Sequence, residues 1–145
     1  MNNTPMQVAV GLGCDRGTPL ATLQQALDEA LALAGARLGD VAAAASIDLK
    51  ADEPGLLALA EQHGWTLTFY TPEQLAAIPV PNPSETVRKY TGSPSVSEAA
   101  ALLSASAVAG HALQMTALLV EKHKHRGPDG RNATVSLARC DSFPL

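Results

Sequence analysis

Aromatic side chains make up only 3 % of this 145-residue chain. Alanine and leucine fill the apolar share instead, which favours close-packed helices over an all-β sandwich. Cysteine is scarce too. Cys14 and Cys140 lie far apart and make no disulfide framework. A basic excess is missing: the net charge of −4 argues against a general nucleic-acid binder, and there is no tail of like charges. No apolar run is long enough to span a bilayer, and the N-terminus lacks a basic segment followed by an apolar stretch. The expected protein therefore has no membrane partner and resides in the cytoplasm. Without a secretion signal, the glycosylation sequon at Asn132-Ala133-Thr134 carries no weight.

What the chain does have is 46 % apolar residues, enough for a core without metals or disulfides. One domain over 1–145 is the economical reading. Residues 6–13 (MQVAVGLG) read as a short buried strand. Leu20, Leu23, Leu27, Leu31 and Ala34 then recur at helical spacing, with Thr18 as N-cap, Pro19 at the first helical position and Gly35 as the stop. A second strand runs over 41–49, and Pro54 opens a helix that stops near Gly64. Residues 66–70 (TLTFY) form a third strand. Thr71 and Gln74 make a capping box for a short third helix.

Successive strand–helix units predict parallel pairing with right-handed crossovers. Residues 78–95 interrupt the pattern as a long loop rich in Pro, Ser and Thr. A fourth helix starts at a capping box of Ser95 and Glu98 and runs to about Gly110. Two β-like segments flank the turn RGPDGR and predict an antiparallel hairpin at the sheet's end. The expected fold is a three-layer α/β/α domain with a mainly parallel sheet and a C-terminal antiparallel hairpin.

The stretch GLGCDRGTP (11–19) poses the functional question. It is no P-loop, because Gly17 is followed by Thr18 and no lysine precedes it. Gly11, Gly13 and Gly17 only partly match a dinucleotide fingerprint, and Asp48 lies too far along to serve as its acidic partner. The general rule for open α/β sheets places ligands beyond the carboxyl ends of the strands. That edge would carry Cys14, Asp15, Arg16, Gly17 and Thr18 from the first loop. Asp48, Lys50, Asp52 and Glu53 would come from the second loop, and Thr71 from the third. Helix N-termini suit anions there, and Arg16 and Lys50 would add full charges. The same residues also suit ordinary caps and solvated loop charges. Convergence of 13–18 with 48–53 in one concave site would favour the first reading.

Cys14 precedes a helix N-terminus beside Arg16, an arrangement that lowers a thiol pKa. No base adjoins it in sequence, so a small half-buried side chain at a tight turn is the competing reading. In EKHKH (121–125), strand alternation would put Glu121, His123 and His125 on one face. No distant partner closes that ligand set and two lysines oppose a cation, so no metal and no cofactor is expected. His111 reads as a structural histidine.

Four segments in order, GLGCDRGTP, ASIDLKADEPGLLALAEQHG, VPNPSETV and GSPSVSEAAALL, resemble the family formed by the C-terminal domain of the cobalamin-biosynthesis protein CbiG and its stand-alone relative CobE. LLVEKHK and ATVSLAR complete the resemblance over nearly the whole chain. Because the chain starts directly at the first motif, it looks like the stand-alone form. Asp15 stands where relatives commonly carry a basic residue, and Glu121 where a proline is common before Lys122.

CbiG proteins are cobalt-precorrin-5A hydrolases, which open a lactone and release acetaldehyde. The resemblance thus implies corrin-ring synthesis, with a carboxylate-rich precorrin or corrinoid as partner. Strand edge and resemblance together give the candidate binding set Gly11, Gly13, Cys14, Arg16, Gly17, Thr18, Asp48, Lys50, Glu53 and Lys122, with Val80, Pro81, Pro83 and Tyr90 of the 78–95 loop expected to cover the macrocycle's face. Under the alternative of a lactone or C–C hydrolase, Cys14, Asp48, Lys50 or Glu53 would carry the chemistry. Further alternatives are a nucleotide-binding module and an interaction module that hands an intermediate between pathway enzymes.

Overall fold

The computed structural model describes residues 6–81 and 96–140. In chain order its main elements are β1 (Val8–Cys14), α1 (Leu20–Ala34), β2 (Val41–Ile47), α2 (Pro54–His63), β3 (Leu67–Tyr70), α3 (Pro72–Ala76), α4 (Val96–Ala109), β4 (Leu118–Arg126) and β5 (Asn132–Arg139). The strands form one five-stranded sheet in the order β3-β2-β1-β5-β4. Helices α1 and α2 cover one face, and α3 and α4 cover the other.

The α/β fold and its C-terminal antiparallel hairpin are as read, but the sheet is mixed, so the mainly parallel arrangement is only partly borne out. β1–β2 and β2–β3 pair in parallel, whereas β1–β5 and β4–β5 are antiparallel. The physical reason is where the hairpin docks. It lies against the first strand, so β1 is parallel on one side and antiparallel on the other. The turn closes as its composition predicts: Gly127 N–H donates to the Arg131 carbonyl at 2.8 Å, and Gly130 N–H to that of Gly127 at 3.0 Å.

Alternation along the strands sorts side chains by size. Val10, Leu12, Val135 and Leu137 face α1 and α2, where they pack with Leu23, Leu27, Leu56 and Leu59. Toward α4 the sheet presents Ala9, Gly11, Ser136 and Ala138, and α4 answers with Ser97, Ala101 and Ala105. Small residues on both sides let the backbones approach closely. A Cβ on Gly11 would lie inside the Ser97 carbonyl oxygen and 2.6 Å from Ala101 N.

Two local expectations need correction. Helix α1 begins one residue late: Pro19 is the N-cap and no side chain caps it. The Thr18 hydroxyl instead donates to the Asp15 carbonyl at 2.7 Å, which closes the turn through Gly17 (φ 77°). Strand β2 ends at Ile47 because Asp48–Lys50 winds into a 3-10 turn. The Thr71–Gln74 capping box is as read, whereas Ser95 lies outside the described residues.

Candidate functional site

The loops after β1 and β2 meet at the carboxyl edge of the sheet. Arg16 crosses between them: Nη1 donates to Asp52 Oδ1 at 2.8 Å and to Glu53 Oε1 at 3.3 Å, and Nη2 donates to the Leu49 carbonyl at 2.8 Å. Gly17 N–H donates to Glu53 Oε2 at 3.0 Å. Glu53 is the N-cap residue of α2, yet its side chain is 1 % exposed and turned into the junction. Gly55 permits this docking, since a Cβ there would overlap the Thr18 carbonyl. So the stretches 13–18 and 48–53 do converge.

A third segment, the β4–β5 turn, holds the first loop from the other side. Asp15 Oδ2 accepts from Asn132 N at 2.8 Å and from its side-chain amide at 3.2 Å. Arg131 Nε donates to the Arg16 carbonyl at 2.8 Å, with the guanidinium steadied by Asp129 at 3.0 Å. Sequence reasoning read RGPDGR as a turn and missed Arg131, Asn132 and Gly55 as shapers of the site. Their partners, Asp15, Arg16 and Thr18, lie far away in sequence, so no local pattern shows the role.

These contacts change the electrostatics expected of the edge. Arg16 is not a free charge, since Asp52 and Glu53 both oppose it. Asp52 in turn sits below the usual carboxylate range because Arg16 donates a hydrogen bond to it. The Lys50 residue is half-buried, and among the described residues its ammonium has neither hydrogen bond nor ion pair. Its ammonium is near enough to act on the Cys14 thiol. Asp48 is exposed at the start of the 3-10 turn.

Cys14 departs from the expectation of an activated thiol. Burial pushes its pKa up to about 11, outweighing the opposing pull of Lys50, while Glu53 adds to the rise. Arg16 does not help, because its guanidinium is turned toward Asp52 and Glu53. Iodoacetamide labelling of Cys14, followed by peptide mass spectrometry across about pH 7–10, should be slow throughout and still rising at the upper end. A rate that levels off near neutral pH would overturn this.

Other candidates are dispersed. Gly11 lies under α4, and Gly13 pairs with Thr134. Lys122 is on the edge strand β4. There Val120 pairs with Leu137 and His123 with Val135, so Glu121 and Lys122 together oppose Ser136. That bulge breaks the expected alternation, and Glu121 does not share a face with His123. His123 Nε2 contacts Glu29 Oε1 at 2.7 Å, and His125 Nδ1 lies 3.5 Å from the same oxygen. Among the described residues no group of three could hold a metal. Val80 packs with Ile47 and Leu75 rather than standing over the edge, whereas Pro83 and Tyr90 lie outside the described residues.

An open cleft of about 510 Å³, lined by Leu38, Val41, His63 and Trp65, lies at the opposite end of β2 and β3. There α1 and α2 terminate, and helix C-termini present carbonyls that disfavour anions.

Comparison with known proteins places the chain. The model of the family described as cobalamin synthesis G C-terminus matches residues 8–138. A cobalt-precorrin-5A hydrolase from Priestia megaterium is 42 % identical over 99 residues, covering 68 % of this chain and 26 % of the hydrolase. Protein CobE from Sinorhizobium sp is 41 % identical over 100 residues, covering 68 % of this chain and 65 % of CobE. The chain thus spans about a quarter of one relative and just under two thirds of the other. A crystal structure of CobE, a protein from the cobalamin (vitamin B12) biosynthetic pathway, matches with a TM-score of 0.76 at 34 % identity, over 96 % of this chain and 94 % of that one. With family and fold agreeing over nearly its whole length, the chain belongs to the cobalamin synthesis G C-terminus family.

Proposed function

We propose that the protein binds a carboxylate-rich precorrin or corrinoid intermediate at the carboxyl edge of its sheet, in the cytoplasm. The observation that carries this is the convergence of the β1–α1 and β2–α2 loops, with a half-buried Lys50 beside them whose ammonium has no ion pair among the described residues. Corrin precursors carry acetate and propionate groups around an apolar macrocycle, so a lysine ammonium at the edge suits their rim. The exposed Leu49 supplies apolar surface at the same edge. Among the described residues no helix is long and apolar enough to cross a membrane.

The test is incubation with purified pathway intermediates, followed by absorbance and mass spectrometry. A spectral shift at unchanged mass is the expected result. A new mass would favour the hydrolase reading, which the 42 % identity to a cobalt-precorrin-5A hydrolase supports. In that case the protonated Cys14 is a poor nucleophile, and Asp48, Lys50 and Glu53 become the residues to test. Finding neither a spectral change nor a new mass with any intermediate would end both.

A further inference from the structure

We propose a division of labour at this edge: Lys50 meets the ligand's carboxylate, while Arg16 and Glu53 form an internal latch that shapes the site without touching the ligand. This rests on the carboxylate-binding reading above and assigns its residues. Arg16 is 60 % exposed, which by exposure alone would make it the obvious anion contact. Its bonds say otherwise. One amino nitrogen serves two carboxylates and the other serves the Leu49 carbonyl, so the guanidinium is spent on the second loop.

Glu53 completes the latch from inside. Its two oxygens accept separately from Arg16 and from Gly17 N–H, so one buried carboxylate fixes both the side chain and the backbone of the first loop. Glu53 N–H donates to the Lys50 carbonyl at 3.0 Å. The same tight turn therefore sends Glu53 inward and leaves Lys50 at the junction with its ammonium uncommitted. Charge recognition at this edge comes from Lys50.

Two probes test the assignment. Uroporphyrin III carries eight carboxylates on a tetrapyrrole, and mellitate carries carboxylates without one. Affinity is read by fluorescence over a salt series for uroporphyrin III, and by amide NMR shifts for mellitate. Lys50→Ala should weaken uroporphyrin III binding about tenfold to a hundredfold and flatten its salt dependence. Lys50→Arg should restore most of both. Arg16→Gln should accelerate hydrogen exchange at the Gly17 amide and lower the melting temperature, yet leave the salt dependence unchanged. Arg16→Lys keeps the charge but loses the two-pronged geometry, and should behave like Arg16→Gln.

If Lys50→Ala binds uroporphyrin III like the parent at every salt concentration, the assignment falls and the carboxylate reading stands. The assignment also falls if Arg16→Gln flattens the salt dependence. If mellitate shifts the 48–53 amides while uroporphyrin III does not bind, the tetrapyrrole reading falls and the Lys50 assignment stands. If neither probe binds, both fall.

Discussion

Replacing Gly11 with alanine is expected to destabilise the protein by about 3 kcal/mol or more, at the upper end of the range for overpacked cores. The added methyl group would meet backbone on α4: the Ser97 carbonyl within overlap and Ala101 N at 2.6 Å. Side chains can rotate away, but a helix backbone cannot without moving as a body. α4 is also tied to the sheet by a buried pair of hydroxyls. Ser136 Oγ lies 2.9 Å from Ser97 Oγ and 2.6 Å from the Glu121 carbonyl, so it accepts from one and donates to the other. Lifting the helix would break that chain as well. Urea denaturation is the direct measurement. Gly13→Ala is the matched control, since a Cβ there meets only Thr134 at 3.9 Å. Equal stabilities for the two variants would show that α4 does not press on β1.

Glu53→Ala should have the next largest effect, a loss of about 2–3 kcal/mol. The side chain is buried, and removing it takes away the acceptor of Gly17 N–H and the Glu53 half of the Arg16 contact, leaving Arg16 to Asp52 and the Leu49 carbonyl. Hydrogen bonds to a charged group contribute about 1.5–3 kcal/mol, and the vacated buried volume adds to the loss. Asp52→Ala removes the other partner of Arg16, but that carboxylate is 79 % exposed and its loss should barely alter stability. The contrast can be read from thermal melts of the two variants. Comparable losses would mean the pair acts through surface charge and that Glu53 has no special place in the junction.

How much of this was legible depended on range. Helical spacing of the leucines, the Thr71–Gln74 box and the turn RGPDGR are local signals, and each element formed where it pointed. The meeting of the first two loops followed from the rule for parallel strands, which needs only the order of elements. The sheet's mixed character did not follow, because neither periodicity nor turn chemistry says which strand a hairpin will join. For the same reason Arg16 read as a free cation: Asp52 and Glu53 are distant in sequence, and only folding makes them its partners. Cys14 shows the limit from another side. A nearby arginine in sequence suggested activation, whereas burial in three dimensions decides the thiol.

The position of β5 between β1 and β4 has a consequence for how the molecule comes to be folded. Strand β1 can pair on one side with β2 early in synthesis, but its other neighbour is the last strand among the described residues. Asp15 and Asn132, whose contact holds the first loop, are 117 positions apart. Closing so long a loop precedes any gain from the pairing, which slows folding relative to locally connected folds. Until β5 arrives, β1 is an exposed edge with unpaired N–H and C=O groups, a place where another chain can add a strand. The carboxyl edge is therefore assembled last, when the two ends of the described chain come together.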